Sequence, residues 1–98
     1  MPKGYVIVDI DIEDASRFGE YASQIPELIE KHGGKYLVRG PKPAVVLDNF
    51  HIPEHLVVIE FPSQEAARAF FDERQSLGLA DLFASSTTSR VLLVPGTG

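Results

Sequence analysis

The stretch YVIVDIDI, residues 5–12, alternates in the way expected of a β-strand that lies in a sheet. Its even-numbered positions are all aliphatic, so one face of the strand is apolar throughout. The odd-numbered positions carry Tyr5 and Ile7 before Asp9 and Asp11, so the second face is also partly apolar. A solvent-facing side is normally more polar, and we therefore expect both faces to be covered, each by something different.

The period then changes to steps of three and four residues, which predicts a helix from Ala15 to about His32 with one buried stripe. Asp14 can cap the first turn of this helix, and Gly33 can end it in a left-handed conformation. A second helix is predicted over residues 63–75, where a serine provides the cap. Leucine and phenylalanine residues shortly after it indicate a further helical turn.

Three further strands are predicted, over residues 35–39, 55–61 and 90–94. Two prolines interrupt the chain after the first of these, because proline cannot donate a hydrogen bond to a sheet. Extended structure is expected to resume over residues 44–50, and the run SSTTS, residues 85–89, is expected to be a polar loop. The order βαββαβ predicts an α+β fold, a ferredoxin-like sandwich with an antiparallel sheet.

Two helices on one side of such a sheet leave its other side bare, and the polar residues there define a candidate site. Strand alternation places Arg39, Glu60, Asp9 and Tyr5 on this side, among aliphatic residues. Two copies packed face to face would cover it, so we expect a homodimer, with a pocket between the sheet and its partner.

Arg39 is the central residue of this expected pocket. It is expected to meet Glu60 or Asp9 when the pocket is empty and a ligand carboxylate when it is full. The alternative interpretation is an Arg39–Glu60 ion pair that only fixes the register of the sheet. A proton shared between Asp9 and Glu60 is a further hypothesis, which depends on the register of the strands.

Histidine offers the remaining candidate chemistry. His51 is expected at the pocket mouth, where it could shuttle protons. Together with His32 and His55 it shows no metal-site spacing, because a ligand set needs three or four converging donors. We therefore expect no metal and no organic cofactor, and no side chain is assigned a catalytic role. No phosphate loop or dinucleotide-binding motif occurs.

Composition excludes several classes of function. The 98 residues suit a single domain, residues 1–98, and the net charge of −5 argues against nucleic acid, because phosphate binding needs a clustered positive face. The absence of cysteine excludes disulfides and thiolate catalysis. No apolar run approaches the roughly 20 residues that span a bilayer, and no signal peptide is visible. We expect a cytoplasmic protein without a membrane partner.

Four motifs, GYVIVDI, GGKYLVRG, VVIEFPS and RVLLVPG, are distributed over nearly the whole chain. With them the chain resembles a small bacterial family, domain of unknown function thirteen-thirty (DUF thirteen-thirty), within the dimeric α/β-barrel superfamily. The resemblance implies the ferredoxin-like fold and a face-to-face dimeric barrel. It implies no reaction, since the family has no established one.

Two classes of function remain open. The first is a protein that binds or converts a small aromatic or carboxylate compound without a metal or organic cofactor. The second is a non-catalytic interaction module whose interior is simply packed. A cavity of about 300 Å³ or more, reached by Arg39, would favour the first class, and a filled interior would favour the second.

Overall fold

The computed structural model describes residues 2–47 and 52–97, which form one antiparallel sheet with helices packed on one side. The strands lie side by side in the order β2-β3-β1-β4. This is the predicted ferredoxin-like α+β fold. In chain order, the elements are β1 (Gly4–Ile12), α1 (Ala15–Lys31), β2 (Lys35–Arg39), β3 (His55–Phe61), α2 (Gln64–Ser76), α3 (Leu79–Ser86) and β4 (Thr87–Pro95).

The apolar face of β1 forms the centre of the core. Val6 and Val8 are buried and lie opposite Ile59 and Val57 of β3, so the apolar sets of both strands face the helices together. This confirms the predicted orientation of both strands. Burial of these aliphatic side chains supplies the main driving force for packing the helices on this side, at about 25 cal/mol per Å² of apolar surface.

Both long helices begin at the predicted caps. The Asp14 carboxylate accepts a hydrogen bond from the Arg17 amide at 3.1 Å, and the Ser63 hydroxyl accepts one from the Ala66 amide at 3.0 Å. Each bond satisfies an amide that has no partner inside the helix. Gly33 follows α1 with φ 79°, the left-handed conformation that favours glycine. None of the described helices is long and apolar enough to cross a membrane.

The predicted polar loop over residues 85–89 is wrong, because residues 85–86 end α3 and residues 87–89 begin β4. The Ser86 hydroxyl donates to the Leu82 carbonyl at 2.8 Å, and the Thr87 hydroxyl donates to the Phe83 carbonyl at 2.8 Å. Since these hydroxyls find partners in the preceding turn, both residues can be buried where α3 meets β4.

The extended structure predicted over residues 44–50 is not found over residues 44–47, and residues 48–50 lie outside the described part of the chain. The Pro41 carbonyl oxygen accepts a hydrogen bond from the Leu56 amide at 3.1 Å. Pro41 is the last residue of this segment that pairs with β3. The chain then leaves the sheet at its edge, where Pro43 has no amide proton to donate. Val46 is 98% exposed in this segment.

Candidate ligand-binding cavity

A β-bulge at Leu37 decides which side of the sheet Arg39 occupies. Tyr36, before the bulge, lies opposite Ile59, and Arg39, after it, lies opposite Val57. β2 thus contains one residue more than β3 over this stretch, and its alternation shifts by one position. The prediction that placed Arg39 on the uncovered side of the sheet is therefore wrong, and Arg39 lies on the helix side.

The helix side of the sheet holds a cavity of about 230 Å³ that is partly open to solvent. β1 and β3 form its floor, and residues of all three helices line its walls. Fifteen of its twenty described lining residues are aliphatic, phenylalanine, alanine or glycine. An apolar interior with a few placed polar groups is typical of a small-molecule site, and this volume lies somewhat below the usual lower limit of about 300 Å³.

Five polar side chains line this cavity, and they are the groups able to orient a ligand. Two are cationic and none of the described lining residues is acidic, so the wall carries uncompensated positive charge. Of the five, Arg39 alone was proposed from sequence. The polar lining residues are Tyr21, Tyr36, Arg39, His55 and Arg74.

Arg74 sits among three aromatic rings. Its guanidinium lies 5.0 Å from the centroid of Phe83, 5.5 Å from that of Tyr21 and 5.8 Å from that of Phe71. Its Nε donates to the Tyr21 hydroxyl at 2.9 Å. No carboxylate in the described part of the chain forms an ion pair with it. The rings hold the cation in place and leave its terminal nitrogens available to an anion.

The Tyr21 hydroxyl beside Arg74 is a hydrogen-bond donor at neutral pH. Burial raises the pKa of Tyr21, and this outweighs the opposing charge and hydrogen bond of Arg74. Since the hydroxyl oxygen accepts from Arg74, its own proton remains available to a second partner. Tyr21 can therefore donate to an oxygen of a bound molecule.

Arg39 covers the Tyr36 ring, with the guanidinium 4.4 Å from the ring centroid. The side chain reaches the cavity from an exposed position and forms no ion pair with a described residue. Burial, chiefly, raises the pKa of the Tyr36 hydroxyl, so it too remains protonated. The stacked arrangement presents a planar cation at the cavity wall, suited to a carboxylate.

His55 begins β3, and its ring is held by the backbone of the chain just after β2. Its Nδ1 lies 2.8 Å from the Gly40 carbonyl oxygen. The sequence does not reveal this partner of His55, because a backbone carbonyl leaves no trace in the order of side chains. His55 is one of the residues that line the cavity.

Glu60, Asp9 and Tyr5, which were predicted together with Arg39, lie on the opposite, uncovered side of the sheet and do not line this cavity. Glu60 accepts hydrogen bonds from Lys3 Nζ at 3.1 Å and from the Tyr5 hydroxyl at 3.3 Å. The Lys3 hydrogen bond is the main cause of a lowered Glu60 pKa. Glu60 thus has partners other than Arg39, and the expected Arg39–Glu60 pair is wrong.

Asp9 also has a partner of its own, since Arg90 Nη2 lies 3.0 Å and Nε 3.1 Å from Asp9 Oδ2. The Ile7–Val58 pair lies between Asp9 and Glu60 along the strands, so the two carboxylates are not neighbours. A shared proton between them is excluded by this separation. His51 lies outside the described residues. Within the described ranges, no three histidine or acidic residues are grouped as a metal site.

Two of the missed residues had a signal in the sequence. Arg74 follows Phe70 by four residues and Phe71 by three, so it is a charged residue on the buried stripe of α2. Tyr21 follows Phe18 by three residues on the buried side of α1. A charged residue on an apolar helical stripe points to a polar group aimed at the interior or its edge.

Comparison with known proteins places these features in context. The profile of a family described as Domain of unknown function (DUF1330) matches residues 3–97. No curated protein sequence matches the chain. Among solved structures, a protein of unknown function from Rhodopseudomonas palustris has a TM-score of 0.78 at 14% identity, with 99% of this chain and 84% of that one covered.

Two further structures share the fold at low identity. SnoaB, a cofactor-independent oxygenase from Streptomyces nogalater, has a TM-score of 0.67 at 10% identity, with 100% of this chain and 96% of that one covered. A hypothetical protein of Arabidopsis thaliana has a TM-score of 0.61 at 16% identity, with 99% and 89% covered. At these identities the similarity establishes the fold and no more.

Proposed function

The chain belongs to the DUF1330 family, whose description names no activity, and we propose from the cavity that it binds a small, largely aromatic molecule carrying an anionic group. The apolar walls would take the ring, and the cationic groups at the wall would take the acid. Conversion of that molecule without a metal or organic cofactor is part of the proposal. SnoaB, of similar fold, is cofactor-independent, so this fold can support such chemistry.

One observation carries the proposal: two guanidinium groups line an apolar cavity, and no described lining residue is acidic. A cation at the edge of a largely apolar cavity attracts an anion more strongly than a cation in water does, because the local dielectric is lower. Arg39 and Arg74 differ in their setting, since the first stacks on one ring and the second sits among three. Both leave terminal nitrogens free for a carboxylate.

The volume of about 230 Å³ favours a small ligand, such as a single aromatic ring with a short acidic side chain. A packed interaction module would have no need of an open cavity with unpaired cations. A non-catalytic interaction module remains the alternative. It predicts that the binding test described next finds no preference for acids over their neutral amides.

The test compares aromatic acids with their neutral amides. Phenylacetate and benzoate are titrated against phenylacetamide and benzamide, with thermal unfolding and calorimetry as readouts. We expect each acid to bind at least about tenfold more tightly than its amide, a difference of about 1.4 kcal/mol. At 100 times its Kd an acid should add roughly 2.7 kcal/mol of stability.

Variants identify the groups responsible. Arg39→Met and Arg74→Met should each reduce the preference for acids, while Arg68→Met serves as the matched control. Arg68 lies on the same helix as Arg74 but is exposed and does not line the cavity. Equal binding of acids and amides, or an equal loss in Arg68→Met, would contradict the proposal.

We also infer that a second copy of the chain covers the outer face of the sheet, the surface formed by the side chains of β1–β4 that point away from the helices. Its aliphatic members include Ile7, Val58 and Leu92, which lie side by side across three strands. The charges beside them are already compensated within the chain, as in the Asp9–Arg90 pair. An apolar face with compensated charges suits an isologous homodimer. A pocket between the two sheets and a cytoplasmic location stay predictions.

A further inference from the structure

The hydrogen bond between His55 and Gly40 determines which ring nitrogen carries a proton. The Gly40 carbonyl oxygen can only accept, so Nδ1 of His55, 2.8 Å away, must be the donor. In the neutral imidazole the other nitrogen, Nε2, then holds a lone pair and no proton. Because His55 lines the cavity, the site contains a histidine whose tautomer is set for accepting a proton.

The same backbone connection brings this base close to the anion-binding arginine. The Gly40 amide donates to the Leu56 carbonyl at 2.7 Å, so the end of β2 is tied to the start of β3. Arg39 immediately precedes Gly40, and His55 immediately precedes Leu56. Arg39 lies opposite Val57, two residues beyond His55 in β3, so a cation and a proton acceptor line the same cavity from neighbouring strands.

We propose that His55 is the proton acceptor of a proton-transfer reaction on an aryl keto acid, whose carboxylate binds Arg39. This proposal rests on the ligand-binding function above and names its substrate class and its base. A keto acid supplies both features that the site would recognise, an anionic group and an acidic carbon-bound proton next to a carbonyl. The aromatic ring would occupy the apolar part of the cavity.

The step is an isomerisation that needs no oxidant or reductant. The lone pair of His55 Nε2 takes a proton from the carbon between the ring and the carbonyl group. The electron pair of the broken C–H bond forms the C=C bond of the enol, and the carbonyl π electrons move to oxygen. That oxygen takes a proton from water, and the imidazolium of His55 returns its proton to solvent. Atoms and charge balance over the cycle.

Phenylpyruvate is the probe that tests this reaction. Its benzylic protons exchange with deuterated solvent when the enol forms, and proton NMR follows the loss of their signal. We expect the protein to accelerate exchange well above the buffer rate. His55→Asn should reduce this acceleration about 10²–10⁴-fold, the usual contribution of a positioned acid or base. Asparagine can still donate to the Gly40 carbonyl, so the backbone connection is kept while the base is lost.

The matched control is His32→Asn, which removes an imidazole that does not line the cavity. It should exchange phenylpyruvate at the wild-type rate. Phenylacetate, which has no ketone, reports binding alone and should bind His55→Asn as it binds the wild type. Circular dichroism verifies folding, and His55→Gln provides a second variant without the base.

The outcomes separate this proposal from the proposed function. If phenylpyruvate binds and the wild-type protein does not accelerate exchange, the proton-transfer proposal is overturned and ligand binding stands. Full acceleration in a folded His55→Asn overturns it as well, since the base would lie elsewhere. If neither phenylpyruvate nor phenylacetate binds, both proposals fall together.

Discussion

The guanidinium of Arg39 lies 4.4 Å from the centroid of the Tyr36 ring, although the two residues are three positions apart in one strand. In a regular strand, residues three apart point to opposite faces. The extra residue at Leu37 cancels this difference and brings both side chains to the helix side. The contact joins Arg39 to the cavity, while Glu60 keeps separate partners on the other face.

Arg39 and Glu60 should therefore contribute to stability independently. The double variant Arg39→Met, Glu60→Gln should change the free energy of unfolding by the sum of the single variants, within about 0.3–0.5 kcal/mol. An ion pair between them would instead make the double variant less costly than either single one. Urea unfolding of the four proteins measures the coupling, and a coupling above about 1 kcal/mol would contradict the assignment of the two residues to opposite faces.

Two glycines should respond to alanine in opposite directions. A Cβ at Gly34 would lie 2.7 Å from both Ile29 Cγ2 and Phe61 Cε1, two core side chains that have little room to move. Gly34→Ala should destabilise the protein by about 1–3 kcal/mol through overpacking. Gly19 lies inside α1 with open space where a Cβ would be, so Gly19→Ala should stabilise it by about 0.5–1 kcal/mol. Equal effects in denaturant unfolding would argue against this packing of α1 on β3.

Glu73 should make stability depend on pH in the acid range. Lys31 Nζ lies 2.6 Å and His32 Nε2 2.8 Å from its carboxylate. These hydrogen bonds, with that of Lys31 the largest cause, lower the Glu73 pKa. A carboxyl group whose pKa is lowered on folding stabilises the folded protein at pH values above its ordinary pKa of about 4.3. This stabilisation is lost as the pH falls through the lowered pKa of the folded state.

Glu73→Gln should accordingly be less stable than the wild type at neutral pH, and the difference should disappear as the pH falls below the range in which Glu73 ionises. Thermal unfolding of both proteins across the acid range measures it. Glu27→Gln, an exposed carboxylate on α1, is the control and should show no such difference. A constant difference between wild type and Glu73→Gln at every pH would show that the effect is not ionic.

The outer face of the sheet should hold the dimer together. Val58 lies near its centre, opposite Ile7 of β1 and Val38 of β2. In a two-fold symmetric dimer, Val58→Arg would bring the positive charges of the two copies close together near the centre of the interface. Their repulsion should destabilise the dimer more than a charge at the edge of the interface would. Light scattering at micromolar concentration should give twice the chain mass for the wild type and the chain mass for Val58→Arg.

Val46→Arg is the matched control for this measurement, since Val46 is 98% exposed and lies off the sheet. It should have the assembly state of the wild type. A monomeric wild-type protein with a native circular dichroism spectrum would refute the dimer.

Alternation and capping residues were sufficient to predict the four strands and the two long helices. Buried apolar residues such as Val6, Val8 and Ile59 belong to strands in which every second position is apolar. Asp14 and Ser63 accept hydrogen bonds from amides three residues later, so the signals for strands and helices lie within a few neighbouring residues. The side of the sheet on which Arg39 lies depends instead on one unpaired residue. Nothing in KYLVR marks Leu37 as a bulge, because the bulge arises from pairing with β3.

The buried Ser86 and Thr87 were mistaken for a loop for a related reason. Serine and threonine favour loops by composition, but here their hydroxyls bond to carbonyls four residues earlier. His55 was also underrated, since its partner is the Gly40 carbonyl and not a side chain. Of the polar residues that line the cavity, Arg39 was predicted from the sequence, although on the wrong side of the sheet, and Arg74 had a signal because it interrupts an apolar helical stripe.

The bulge at Leu37 also bears on which changes of chain length this protein can tolerate. Loss of one residue from a strand normally inverts every side chain beyond it, which would empty a site and expose a core. Loss of Leu37 is different, because Tyr36 and Arg39 would keep their partners Ile59 and Val57 in an uninterrupted ladder. Descendants of this gene could therefore be one codon shorter here and still present the same cation to the same cavity.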